Sequence, residues 1–546
     1  MANETSTNTQ LAEPQLSPHY YLDNFRKLTS HALCWYQDLL YQSEREWIER
    51  FEQLPLEAQC LLVRLLSRKG ECFRSDKLNY SEIKSIQAAA KALASKEFIE
   101  INPRLLLSTI ATNLLTKPEI IKQFPNENKS LKKQALIESV CEKYSDEQIK
   151  LTFDIYQLIN AQIIDVLLLL FFANSRQDLT QFVVSDLGIQ KFESYTLSTQ
   201  LRFFDHRIQI EALLQLSKLS EELYLSSEVD EPFLDHLTEE LPQKLTHHYV
   251  KRKTEKLINL IAREYERLEC TDKALYWFKQ TTLPPSRERQ VRILEKLNLD
   301  NEAALIVEDM LATPIDQPEH EVAQRLDTRL RRKAGEKITR PVNNPIREDK
   351  VTLDLSSKRV ELAVKEHYEA NGWQAFYTEN SLLNALFGLA FWDIIFSPVE
   401  GAFINPYQQQ PLDLFHPDFI QRRKSQITER LSVLKNDHKK IVRNHFNEKK
   451  GTANTLVNWS IITPELLELA LSTFSSEQIV SLFEVQLSDL RHFRSGMPDL
   501  IAFKNGEFLW IEVKGPGDKL QDSQKRWIKH FELLKTPYLV CYVNSK

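Results

Sequence analysis

The sequence predicts a multidomain, mainly α-helical chain that closes in an α/β unit. Three observations carry this. The chain has 546 residues, more than one hydrophobic core accommodates, so three or four domains are expected. It holds only 11 glycines against 27% charged residues, and long stretches place apolar side chains at helical spacing, which favours helix over sheet. Near residue 500 the pattern changes, and PDLIAFKNGEFLWIEVK at 498–514 reads as two strands about a tight turn.

Composition narrows the class. Hydrophobic residues make up 42% of the chain and the formal charge is -6. Whole-chain charge governs solubility and says little of local phosphate-binding patches. The six cysteines, Cys34, Cys60, Cys72, Cys141, Cys270 and Cys541, include no CxxC pair, which speaks against a zinc finger or a thioredoxin-type site. Their sparse use fits a reducing cytosol. The start MANETSTNTQ is polar, and the apolar run DVLLLLFFA at 165–173 is too short to span a bilayer. A cytoplasmic protein without a membrane partner is the expectation.

Residues 1–16 read as a disordered polar tail. Residues 17–150 read as a helical region. EREWIERFEQLPLEAQCLLVRLLSRKG suggests two helices broken near Pro55, and the following segment resembles the later part of a winged helix. Arg64 and Arg68 sit where short helices would present positive charge to phosphate, as do Lys132 and Lys133 at the start of a later helix. The same residues equally make a solvated helical face. Residues 151–345 read as a helical-repeat scaffold. LECTDKALYWFKQ and LNLDNEAALIVED recur at an offset of 29 residues, short of the roughly 34 of tetratricopeptide pairs. A proline-containing linker near 341–348 leads into a final unit, 346–546.

In that unit NSLLNALFGLAFWDIIF predicts an apolar core helix. Segment 421–450 carries ten Lys or Arg against three acids, a balance that suits an elongated polyanion. It would lie along a DNA duplex or pair two chains as a homodimer on DNA. Asn505–Gly506 is a preferred hairpin turn. Strand alternation gives Glu512 and Lys514 one face, with Ile511 and Val513 on the other. Asp499, at the start of the first strand, is brought toward Glu512 by the hairpin. Two adjacent carboxylates repel and call for a cation, and oxygen ligands suit Mg²⁺ or Mn²⁺. After GPGD, a helix over 522–535 and a strand over 538–543 complete the order strand, strand, helix, strand, with Gln524 in the helix's first turn. A lone ExK is common in surface strands. The combination of PD, a hairpin of the right length and an apolar frame is what points to a nuclease.

The PD…ExK arrangement resembles the PD-(D/E)xK nuclease superfamily. RHFRSGMPDL…IEVKGPGDKLQDSQKRWI resembles its virus-type replication-repair nuclease domain, and with EREWIERFEQLPLEAQCLLVRLLSRKG and NSLLNALFGLAFWDIIF the whole chain resembles a bacterial Fanconi-associated nuclease. The resemblance implies a C-terminal α/β nuclease domain with a mixed sheet behind helical DNA-binding and repeat regions. It implies a metal-dependent, structure-specific DNA endonuclease that cuts 5′ flaps, digests from 5′ ends and acts in interstrand crosslink repair, with branched or 5′-flap DNA as partner.

Matched by position, Glu379, Asp499 and Glu512 become metal ligands and, with Lys514, catalytic residues, while Arg491 matches a phosphate-binding residue and Gln524 a glutamine of the following helix, read here as a DNA or phosphate contact. To these the reading of the site adds the Val513 carbonyl as a further metal ligand and Arg494 as a further DNA or phosphate contact. From the residues alone Glu379 is an acid near a helix start, where the dipole favours it. Asp413 and Asp418 read as loop residues beside the site. The zinc finger of the eukaryotic form has no matching cysteines here, so recruitment by ubiquitin is not expected. Two other readings stay open: a four-way-junction endonuclease, and a non-catalytic helical-repeat adaptor.

Overall fold

A computed structural model describes residues 17–146, 149–174, 190–243, 246–339 and 346–545. The expected tail at 1–16 and most of the 341–348 linker lie outside them. The described chain divides into two compact units, one of residues 1–190 with 204–214, the other of 191–203 with 215–546.

The first unit is helical around an aromatic core. The helices Tyr20–Tyr36, Gln42–Glu52 and Leu56–Leu66 bury Phe25, Trp47 and Phe51 with Phe98. The break between the second and third falls at Pro55, whose missing N–H suits the residue before a helix. Three short strands, β1 (Cys72–Arg74), β2 (Ile99–Ile101) and β3 (Ile155–Leu158), form an antiparallel sheet with β3 in the centre. The unit therefore extends past the boundary expected at 150. β3 reaches back over some eighty residues to β1, and no local pattern announces such a pairing. The helices Leu107–Asn113, Lys117–Gln123 and Lys133–Lys143 enclose a small apolar core of their own.

In the second unit, a run of consecutively packed helices lies well after residue 151. The helices α1 (His248–Arg267), Thr271–Lys279, Ser286–Lys296, Asp300–Ala312 and α2 (Gln317–Lys333) each pack on the next. Val291, Leu294, Ala303, Val307, Met310, Ala323 and Leu326 form the core shared by the last three of them.

The α/β part carries a five-stranded mixed sheet in the order β4 (Glu348–Leu353), β8 (Tyr538–Ser545), β7 (Glu507–Lys514), β6 (Leu500–Lys504), β5 (Gln374–Tyr377). β4 and β7 run parallel to β8, while β6 is antiparallel to β5 and β7. Helix α3 (Val360–Ala370) covers one face, where Val364 and Tyr368 meet Leu500, Ala502, Ile511, Val513 and Cys541. The other face, including Ile501, Phe503, Phe508, Trp510 and Val540, packs in a larger core. That core contains residues of α4 (Ser381–Ala390), α5 (Lys424–Glu448), α6 (Ser476–Ser488) and α8 (Asp522–Leu534); the short α7 (Leu490–Phe493) precedes β6. The expected core helix is α4, with Leu382, Leu383, Leu386, Phe387, Leu389 and Ala390 all buried.

The basic segment 421–450 differs from its sequence expectation. Arg422 and Arg423 pair with Asp413, Arg430 with Asp393, Lys435 with Glu484, Arg443 with Glu468, and Lys449 with Glu193. Six of the ten cations thus meet acids from other segments, and the local excess is largely cancelled within the fold. Asp413 belongs to this scaffold, as the partner of the buried Arg423.

Candidate active site

The β6–β7 hairpin turns on Asn505 and Gly506, both at positive φ, as a two-residue turn matching strand twist requires. Leu500 faces Ile511 across the pair, so Asp499 stands opposite the Glu512 end of β7. Its Oδ2 accepts a hydrogen bond from the Val513 N–H at 2.9 Å. N–H and C=O of one strand residue project toward the same neighbour, so the Val513 carbonyl also faces Asp499.

The Asp499 carbonyl accepts from both the Thr378 and Glu379 N–H groups at 2.9 Å. Glu379 is thereby fixed at the end of β5 beside Asp499. It holds a left-handed φ of 43°, a conformation costly for a residue with a Cβ. Its carboxylate caps no helix, since α4 starts from Asn380 without a side-chain cap. Instead the Tyr377 hydroxyl donates to Glu379 Oε2 at 3.0 Å and Asn380 Nδ2 to Oε1 at 3.3 Å.

Glu512 and Lys514 share the face of β7 turned toward α8, at 2% and 7% exposure. Lys514 Nζ lies 2.6 Å from Glu512 Oε1, and Gln524 Nε2 donates to the same oxygen at 2.5 Å. Gln524 Oε1 accepts from the Gln521 N–H at the start of α8, so both ends of its amide are used. Gln524 thereby orients the Glu512 carboxylate. Glu512 Oε2 is buried without a partner. Burial, and then the charge of Asp499, push the Glu512 carboxyl up to about 7. Burial also raises Asp499, against the opposing Val513 N–H. Burying such charges costs several kcal/mol unless they are compensated. Among the described residues, no three His, Cys, Asp or Glu side chains already surround one point at ligating distance. The orphaned Glu512 oxygen, the repelling Asp499 and the Val513 carbonyl are hard oxygen donors that fit a divalent cation.

Arg491, on α7, and Arg494, just after it, are exposed, and the Arg494 guanidinium stacks 4.3 Å from the Phe415 ring centre. Sequence reading missed two further cations. Arg252 and Lys256 share a face of α1 at i, i+4 spacing, and the field of Arg491 reaches both. Burial first, then Arg491 for Arg252 and Arg252 for Lys256, hold them below their usual ranges. Arg252 Nε is buried without a hydrogen-bond acceptor. The half-buried His416 beside them is pushed down to about 4, by desolvation first and then by Arg252. A like-charged, underpaired cluster of this kind is an anion site in waiting. Its only sequence signal was the run KRKTEK at 251–256. Contacts between α1–α2 and the sheet domain hold it in place: Gln317 N–H to Asp489, and Arg526 of α8 to Glu321.

The N-terminal cations fare differently. Arg64 donates Nε and Nη2 to Glu82 and lies over the Tyr21 ring, so its charge is internally engaged. Arg68 bonds the Tyr80 hydroxyl and lies over Phe73. Lys133 Nζ donates to the Thr112 carbonyl, whereas Lys132 is exposed at the helix start.

Comparison with known proteins agrees with this geometry. The VRR-NUC domain model matches residues 434–545, and the FAN1 HTH domain model matches residues 19–100. The Fanconi-associated nuclease 1 homolog of Pseudomonas aeruginosa is 34% identical over 96% of both chains. The Arabidopsis thaliana homolog is 26% identical over 95% of this chain and 66% of its own. The crystal structure of paFAN1 bound to DNA with a 2-nt 5′ flap and a gap superposes with a TM-score of 0.87 at 33% identity, covering 98% of this chain and all of that one. A near-full-length relative at this identity, a matching fold and a VRR-NUC domain lead to one conclusion: the chain belongs to the Fanconi-associated nuclease 1 family and is a metal-dependent DNA nuclease.

Proposed function

We propose that this chain hydrolyses phosphodiester bonds at 5′ flaps, digests DNA inward from 5′ ends and serves interstrand crosslink repair, with Mg²⁺ or Mn²⁺ as its ion. The observation that carries the reading is the convergence of Asp499, Glu512, Lys514 and the Glu379 backbone, with one buried Glu512 oxygen lacking any partner. Asp499, Glu512, the Val513 carbonyl and Glu379 would hold the ion. When bound, a divalent cation lowers the pKa of water and stabilises charge on the phosphoryl oxygens. Lys514 Nζ steers the attacking water from the same strand face, and Gln524 keeps Glu512 turned toward the ion. Arg491, Arg494, Arg252 and Lys256 grip phosphates, as guanidinium and ammonium groups do. The paFAN1 complex with flap DNA supports a branched substrate for this chain. On the first unit, the exposed Lys132 and Arg68 are further cations for DNA phosphate.

The test is cleavage of a labelled 5′-flap duplex with Mn²⁺ by the wild type and Asp499→Ala. Cutting by the wild type alone is expected. No cutting by either favours the adaptor reading, equal cutting by both removes Asp499 from the chemistry, and preference for four-way junctions favours a resolving enzyme. A 5′ hydroxyl in place of the 5′ phosphate should slow cutting, and an unchanged rate would remove the phosphate grip.

A further inference from the structure

We infer that Asn384 is a positioning residue of the phosphate grip: oriented by the buried Gln486, it fixes the backbone of Arg494 and so the place at which that guanidinium meets DNA. The inference rests on the reading of Arg494 as a phosphate contact and extends it to two amides outside the PD…ExK pattern.

Residues 494–497 carry the chain from α7 to Pro498 and Asp499, and each of the four is held. The Arg494 carbonyl accepts from Asn384 Nδ2 at 2.8 Å, and the Ser495 carbonyl from Trp527 Nε1 of α8 at 3.1 Å. Gly496 lies against the Ser523 backbone, and the Met497 N–H donates to Asn380 Oδ1 at 3.1 Å. Asn380 also donates to Glu379, so it serves the acids. Asn384, one helical turn further along α4, serves the cation.

Asn384 Oδ1 accepts from Gln486 Nε2 of α6 at 2.8 Å. With its oxygen held by an amide donor, Asn384 must turn its own N–H groups to the Arg494 carbonyl, so the pair fixes which way the amide points. The exposed Arg494 side chain leaves this anchored backbone and stacks on Phe415. A guanidinium held at both ends loses little freedom when it takes a phosphate.

Gln486 carries the argument. It is 1% exposed, between Val485 and Leu487 of the larger core, and its Oε1 has no partner among the described residues. A buried carbonyl oxygen without a donor lowers stability. Methionine, of similar volume, would avoid that loss. The bond to Asn384 is what the glutamine adds. The competing reading is a pair that only stabilises the loop. Removing it would then lower stability, and any loss of binding would add to that of Arg494→Ala.

The experiment measures binding of a 5′-flap duplex to the full chain in EDTA over a salt series, with thermal unfolding and steady-state cleavage in Mn²⁺ alongside. Arg494→Ala should lower the salt slope by about one. Gln486→Met should unfold no lower than the wild type, yet bind flap DNA about fivefold more weakly, with KM raised and kcat held. That loss should vanish in the Arg494→Ala background, where the double variant binds as Arg494→Ala alone. Unchanged affinity of Gln486→Met, a loss that adds in full to that of Arg494→Ala, or a lowered melting temperature with a matching fall in kcat overturns the inference. Arg494→Ala with wild-type affinity and slope overturns the phosphate reading of Arg494 beneath it. Should Gln486→Met fail to fold, Asn384→Ala, which keeps a good helix former in α4, should show the same weakening and the same non-additivity; an additive loss there overturns the inference.

Discussion

Glu512 makes ion binding a proton-release reaction. Its carboxyl is raised from 4.5 to about 7, mainly by burial and then by Asp499. A carboxyl raised in the folded state favours the protonated fold. Its stability contribution is therefore intact at low pH and is lost as pH climbs from the unfolded value through about 7. The full penalty is roughly 3 kcal/mol at 1.36 kcal/mol per pKa unit. A cation that binds the carboxylate must displace that proton below pH 7. At pH 6, binding should release about one proton from Glu512, and affinity for Mn²⁺ should rise about fivefold from pH 6 to 7 and about tenfold by pH 8, levelling off above that. Calorimetry in two buffers of different ionisation enthalpy measures the proton count directly. Buffer-independent heats at pH 6, or an affinity flat from pH 6 to 8, would refute the burial argument. Glu512→Gln should lose both the ion and the pH dependence.

Other perturbations separate chemistry from support. Gln524→Ala frees Glu512 Oε1 from one of its two donors and should slow cleavage about tenfold, the equivalent of one hydrogen bond, with flap-DNA affinity unchanged in a filter-binding assay. Gly496→Ala should cost roughly 2–3 kcal/mol in chemical unfolding, because the new Cβ would lie 2.6 Å from the Ser523 backbone at a φ of 91°. Arg64→Ala should destabilise the first unit by about 1–3 kcal/mol by stranding Glu82, while leaving the salt dependence of DNA binding unaltered. Lys132→Ala should do the reverse, reducing the salt slope by about one; an unchanged slope would take Lys132 off the DNA.

What the sequence disclosed follows how local each signal is. The β6–β7 hairpin, α4 and α8 were legible because turn residues, alternation and helical spacing all lie within a few residues. β4 and β5 were not recognised. QAFY is too short for its period to register, and β4 finds its partner almost two hundred residues away. The pairing of Arg443 with Glu468 and of Arg430 with Asp393 was equally invisible, so segment 421–450 looked more basic than it is. Motif resemblance brought Glu379 into view, but not the hydroxyl that holds it. Arg252 and Lys256 emerged only once α1 was packed beside α7, because a depressed cation needs its neighbours to be defined.

The two hydrogen bonds from Thr378 and Glu379 to the Asp499 carbonyl join segments roughly 120 residues apart. Nothing in either segment brings the two acids together alone, and closing so long a loop must wait for the intervening helices to condense. Cutting power is thus a late event in folding. A chain in which the stretch from α4 to α7 has not packed holds its acids apart, and leaves Arg491 of α7 unplaced as well. For a DNA nuclease, an unfinished fold in that stretch is an inactive one.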